Sequence, residues 1–400
     1  MSRGLAGFLS VVVVASVLFP LSHACADFRL RGDAVTHLEW YDDPQGDEAL
    51  PFYQYLRINL DDTAGGRKFR IYGRLAEDVN NEVDTESRLY FAYFEKKDVW
   101  DNTDLRIGRQ WVNTVAGSPV LDGLQVRYLR PELFRLKAYG GINASLEDYE
   151  SDEVVWGFSV EDDFLDRTDL GLSYYQKRVD GDLALEFLGL SAWTRVGKRG
   201  SVFGELQYDL LSQIPSYYQA AVRLVPNDRW TFRGEYYGFT PVFDSTSIYS
   251  VFAVDDYEEV SVSADYRLDR EWTLFARYAR EFYESFDDSD VVEAGAELIR
   301  PKELSGYLVA VFRTGYEDLN GIRANVRAPL YGEITLDAGA EYNVYDRVGD
   351  DRGDTSSKRY WLAGERDLGE SLNLRAKVER IESEIYDYYN RGRIRLRYTF

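Results

Sequence analysis

Apolar and polar residues alternate with period two along most of the chain, in runs of about ten residues separated by turn formers. In the last run, Asn390 to Phe400, one face carries Ile394, Leu396, Tyr398 and Phe400 and the other Arg391, Arg393, Arg395 and Arg397. The same two-faced chemistry recurs upstream. Phe69, Ile71, Gly73 and Leu75 alternate with Arg70, Tyr72 and Arg74, while Val260, Val262, Ala264, Tyr266 and Leu268 alternate with Ser261, Ser263, Asp265 and Arg267. Each run predicts a β-strand, and no segment predicts a helix of useful length. Counting the runs gives about 22 strands, within a range of about 18 to 22 because Ser201 to Leu211 and Glu132 to Gly141 are weakly patterned.

The connections also alternate. Short ones fall at Arg130-Pro131, Val225 to Asp228, Leu268 to Arg270, Arg300 to Lys302, Ala328-Pro329 and Leu368 to Glu370, where Pro, Asn and Asp favour turns and Pro cannot serve a paired strand. Between them lie longer, mostly acidic segments: Asp42 to Leu50, Asp78 to Thr85, Ile142 to Glu153, Glu284 to Asp290 and Asp346 to Lys358. Short turns on one side and long loops on the other predict an all-β fold: a single antiparallel up-and-down transmembrane β-barrel. A soluble repeat protein would show a fixed blade or solenoid period, and none is present.

The N-terminus carries Arg3, an apolar run from Phe8 to Phe19 and the small-x-small triplet Ala24-Cys25-Ala26. This predicts a signal peptide over 1–26, cleaved near Ala26, and one barrel domain over 27–400. Acylation of Cys25 is the weaker alternative, because Ser22 stands where such signals usually carry Leu. Cleavage would remove the only cysteine and leave His37 as the only histidine. The barrel would then hold no disulfide, no cysteine-based metal site and no c-type haem of its own, so no cofactor is expected. Without Arg3 the chain has 46 basic and 69 acidic residues, a net charge of −23, which disfavours nucleic acid. Mean hydropathy is −0.40, as expected when only alternate residues face lipid. The 15% aromatic content suits girdles at two membrane interfaces.

In signal peptide, strand pattern, loop asymmetry and the terminal Tyr398-Thr399-Phe400, the chain resembles bacterial outer-membrane porin-like β-barrels. The resemblance implies that Tyr398 and Phe400 form the signal read by the barrel-assembly machinery. It further implies outer-membrane localisation, contact with lipid and lipopolysaccharide, and passive diffusion of small hydrophilic solutes or ions through a water-filled pore, without enzymatic activity. A homo-oligomer is among the partners the resemblance implies. The rival reading is a structural sheath around a partner such as a secreted multihaem cytochrome in a transmembrane electron conduit. Adhesion through the acidic loops is weaker.

If the apolar faces meet lipid, the opposite faces line the lumen. They contribute Arg70, Arg74, Arg106, Arg127, Arg233, Arg267, Arg323, Arg327, Arg375, Arg393 and Arg395, with Glu205, Asp209, Glu235, Asp265, Glu293, Glu297, Asp337, Glu341 and Glu379. Such rows can pair across strands or set a field that filters ions. The surplus acid of the loops points to a weak cation preference. Two connections depart from the acidic rule. Val112 to Leu121 is nearly uncharged, with Val112, Asn113, Ser118 and Pro119 expected in a loop that folds inward and narrows the channel. Pro241 to Tyr257 carries Phe243, Ile248 and Phe252, expected inside the lumen, capping the barrel or contacting a partner, with an extra strand pair as the alternative. His37 shares a strand face with Glu39, the sole arrangement with any catalytic look, and a bystander role is the better reading. The acidic loops match no calcium-loop spacing and Arg352-Gly353-Asp354 reads as loop composition.

Overall fold

The computed structural model describes residues 28–42, 48–62, 64–80, 83–130, 133–144, 153–162, 167–242, 256–300, 303–330, 333–345, 355–383 and 389–400. The expected signal segment with Cys25, and Arg352-Gly353-Asp354, lie outside the described residues. The strands, in chain order, are β1 (Phe28–Asp42), β2 (Glu48–Ala49), β3 (Pro51–Asp62), β4 (Arg67–Asp78), β5 (Arg88–Trp100), β6 (Thr103–Trp111), β7 (Val120–Arg130) and β8 (Phe134–Asn143). Then follow β9 (Glu153–Asp162), β10 (Thr168–Val179), β11 (Asp182–Val196), β12 (Gly200–Asp209), β13 (Ile214–Leu224), β14 (Trp230–Phe239), β15 (Tyr257–Arg267) and β16 (Trp272–Tyr283). The last are β17 (Ser289–Leu298), β18 (Ser305–Thr314), β19 (Leu319–Pro329), β20 (Ile334–Tyr345), β21 (Thr355–Asp367), β22 (Leu372–Glu382) and β23 (Tyr389–Thr399).

Each long strand pairs antiparallel with its neighbours in sequence, and β2 only extends the end of β1 at Tyr41↔Ala49 and Asp42↔Glu48. The remaining 22 strands form a closed ring, because β1 pairs with both β3 and β23. Closure lets the ladders satisfy the backbone without water, the condition for crossing lipid with strands. Among the described residues no helix is long and apolar enough to cross a membrane. The two weakly patterned runs are separate strands, β12 and β8.

At the seam, Gly32 N donates to Phe400 O at 2.8 Å and Phe400 N to Gly32 O at 3.0 Å. Glycine is required there, since a Cβ on Gly32 would stand 2.6 Å from the Phe400 ring. At the opposite end of the same seam Trp40 covers Gly392, where a Cβ would lie 1.7 Å from the indole. The first and last strands each lay an aromatic ring over a glycine of the other.

One face of nearly every wall strand exposes large apolar side chains, among them Leu75, Ile107, Val262, Leu308 and Leu362, and this is the lipid face. Two sequence expectations need correcting. Connections on the long-loop side include three short ones: Asp180-Gly181, whose φ angles of 52° and 88° suit a tight hairpin, residues 210–213, and residues 315–318. The aromatic surplus is not confined to outer girdles, because Tyr53, Tyr55, Tyr72, Tyr217, Tyr237, Tyr257 and Tyr283 alternate with lipid-facing neighbours and stand on the inner wall.

Candidate functional site

The lumen side of the wall follows from strand parity. Leu308 and Phe312 of β18 are exposed to lipid, so Arg313 points inward; Ile322 and Val326 of β19 place Arg323 and Arg327 inward in the same way. Every predicted lumen residue stands on this inner side, and most are held by partners. Arg70 is bound to Asp61, which also takes Arg31 at 2.9 Å. Arg74 donates to the Glu86 carbonyl at 2.8 Å. Arg106 and Arg127 converge on Glu95 at 2.7 and 3.0 Å, and Arg127 also reaches Asp104 at 3.1 Å. Arg233 lies 3.7 Å from Asp265, and Arg327 lies 3.4 Å from Glu365. Glu379 takes Arg359 at 3.0 Å together with Lys377. Asp337 accepts from Asn325 and from the Trp361 indole at 3.1 and 3.0 Å, Glu235 accepts from Gln219, and Glu341 from Asn343 at 3.0 Å.

Arg323 stands opposite Glu341 and Glu293 opposite Arg277, while Arg267 and Glu297 stand opposite Thr273, and Glu205 between Ser191 and Gln219. Asp209 differs from the rest. It is 1% exposed and accepts from Leu211 N and Ser212 N, so it caps a turn and does not face open lumen.

Cations concentrate around the seam. Arg375 faces Arg395 and Lys377 faces Arg393 across β22 and β23, two like-charge pairs in succession. Such pairs are unfavourable unless acids flank them. Glu39 supplies one flank, at 2.7 Å from Arg391 and 2.5 Å from Arg393, and Glu365 another, at 3.9 Å from Arg395. His37 lies in the same row, opposite both Arg395 and Tyr53, with its ring 5.3 Å from Tyr55. Its neighbour Glu39 is engaged by two arginines, an arrangement of wall pairing.

Sequence reasoning missed the lumenal carboxylates Glu95, Glu259, Glu281 and Glu365 and the inner tyrosines. The signal was available, since each alternates with a lipid-facing residue of its own strand. Tyr257 and Glu259, for example, flank the register of Val260 and Val262.

The segment between β6 and β7 lies on the inner wall. Its own hairpin is tied by Val112 N to Pro119 O at 3.0 Å, Thr114 N to Gly117 O at 3.0 Å and Ser118 Oγ to Asn113 Oδ1 at 2.8 Å. Its tip is anchored to distant strands: Ala116 N donates to Ser173 Oγ of β10 at 2.9 Å, and Gln207 Nε2 of β12 donates to the Val115 and Ala116 carbonyls at 3.1 and 3.0 Å. Lys137 Nζ donates to Asn113 O at 3.1 Å. Val112 and Ala116, 2% and 0% exposed, pack with Leu121, Tyr139, Val155, Tyr175 and Phe187. Two glycines admit this approach. A Cβ on Gly189 would stand 2.4 Å from Ala116 N, and one on Gly117 would stand 2.8 Å from the Tyr175 ring.

Phe243, Ile248 and Phe252 lie outside the described residues, although Val242, just before them, packs on the same inner cluster. Among the described residues no group of acids and histidine is arranged to hold a metal ion.

No family model and no curated protein sequence matches the chain. Solved structures do. The P pilus usher (PapC) translocation pore aligns with a TM-score of 0.54 at 11% identity over 93% of this chain and 99% of that one. Pseudomonas aeruginosa OpdQ aligns at 0.49 with 10% identity over 94% and 99%, and Acinetobacter baumannii OccAB2 at 0.48 with 10% identity over 94% and 98%. At such identity the PapC pore speaks to architecture alone. In fold, the chain is a closed, antiparallel 22-stranded β-barrel, similar in architecture to the PapC pore.

Proposed function

We propose that this barrel is a passive channel of a bacterial outer membrane for small hydrophilic solutes and ions. The observation that carries the reading is a closed wall, apolar outside and charged inside, with the 112–119 loop fixed against its inner surface. A polar lumen holds water, and a loop anchored at several points narrows it permanently.

The test is conductance of the purified protein in a planar lipid bilayer under a salt gradient. Stable ohmic steps are expected, with a small cation preference at low salt that fades as salt rises and screens the acidic mouth. Large erratic steps silenced only by a co-purifying secreted cytochrome would replace this reading with the sheath.

A further inference from the structure

On the inner wall, at the ends of β14, β15, β16 and β18 that bear the long loops, aromatic rings stand side by side. Tyr237 and Tyr257 have centroids 5.5 Å apart, Tyr257 and Tyr283 5.4 Å, and Tyr283 and Tyr316 5.6 Å; Phe286 closes the row 4.3 Å from Tyr316. The four tyrosines are half-buried and Phe286 is 44% exposed, so ring surface remains open to the mouth. Gly315 makes the outer end possible. Its φ is 121°, and a Cβ there would stand 2.0 Å from Asp288 O, so only glycine lets the two loops carrying Phe286 and Tyr316 meet.

Charge decides what such a row would hold. Glu259 accepts from Tyr257 Oη at 3.1 Å and is bound by Arg277, while Glu281 accepts from Tyr283 Oη at 2.8 Å and is bound by Arg313 at 2.9 Å. Both acids are thus neutralised beneath the rings, so the carboxylates under the row are already engaged and do not complete a cation cage with it. What remains is open aromatic surface bordered by hydroxyl, guanidinium and carboxylate groups with acceptor and donor capacity left over. That combination fits a neutral, polyhydroxylated ring, which presents an apolar face and a hydroxyl edge.

We propose that the arc Tyr237, Tyr257, Tyr283 and Tyr316 with Phe286 is a carbohydrate-binding platform at the channel mouth. The inference deepens the channel reading and rests on it for its role in uptake, but binding can be read without conduction. The experiment is calorimetric titration of the detergent-solubilised full chain with a linear glucose oligosaccharide, against a polyethylene glycol of equal size and against choline. Bilayer recordings with the same three probes run in parallel.

Saturable binding of the oligosaccharide alone is expected, weakened about three- to tenfold in the Y257L/Y283L variant, the range of one or two lost aromatic contacts. The Y257F/Y283F variant should retain most of it, because the rings persist. Equal binding of the glycol, stronger binding of choline, or an unchanged Y257L/Y283L variant would overturn the platform. Y257L/Y283L is compared only where its heat-dependent gel mobility matches the parent; if it fails to fold, G315A, which displaces Tyr316 and Phe286, takes its place with the same expected loss. Sugar binding without bilayer conductance would overturn the channel reading and leave the platform standing, whereas conductance without sugar binding would do the reverse.

Discussion

Glu39 holds two arginines of β23 at once while only 6% of its surface is exposed. Replacing it with Gln keeps the volume but leaves Arg393 opposite Lys377, and Arg391 two residues away on the same face, without their shared acid. A loss of about 1–3 kcal/mol is expected, the range for hydrogen bonds to charged groups, read as an earlier urea midpoint of the vesicle-reconstituted barrel. A second residue gives a pH dependence. Asp269, in the turn between β15 and β16, accepts from Trp272 N and Glu271 N, which holds its carboxyl below its ordinary 3.8. A depressed acid contributes its stabilisation above the unfolded value and loses it as pH falls through the folded one. The turn should therefore keep its amide-exchange protection above the ordinary carboxylate value of 3.8 and lose it as pH falls below that, while D269N shows no such step. At this scale the sequence was legible as faces and not as partners. Parity alone put Arg106 and Arg127 inside, but their convergence on Glu95 depends on register, which the turns set. Asp209 shares the inward parity, but its strand ends there and the amides of the turn recruit its carboxylate, a contact that parity does not show.

Among the elements, the 112–119 loop shows how far local composition reaches. Its lack of charge marked it as a segment that could leave water. Nothing in it named Ser173, Gly189 and Gln207, whose spacing in sequence is unrelated to their meeting at one corner of the wall. Filling the seat with Gly189→Val should drive the loop off the wall at a cost of about 1–3 kcal/mol and change conductance, whereas Ser173→Ala should cost about 1 kcal/mol and leave conductance near the parent's. Single-channel recording separates the two. A Gly189→Val channel with unaltered steps would mean that the loop does not limit flow.

At the scale of the molecule, strand number and antiparallel winding were readable because a barrel repeats one simple rule along the whole chain. The tyrosines were not, because an amphipathic ring suits a membrane interface and a wet lumen equally and total aromatic content cannot choose between them. The three short connections on the long-loop side escaped for a related reason: a two-residue turn such as Asp180-Gly181 interrupts the alternation so briefly that it leaves little trace.

The reciprocal rings at the seam bear on how the barrel forms. Nearly every other strand contact joins sequence neighbours and can zip as a hairpin, but Gly32 meets Phe400 and Trp40 meets Gly392 across almost the entire described chain. Such a non-local contact must meet its loop-closure entropy before any pairing rewards it. The G32V variant should consequently acquire β circular dichroism at the parent's rate in lipid vesicles and reach the compact, heat-resistant gel form more slowly. Ring and glycine together act as a latch, and the pace of folding is set where the chain's two ends must find one another.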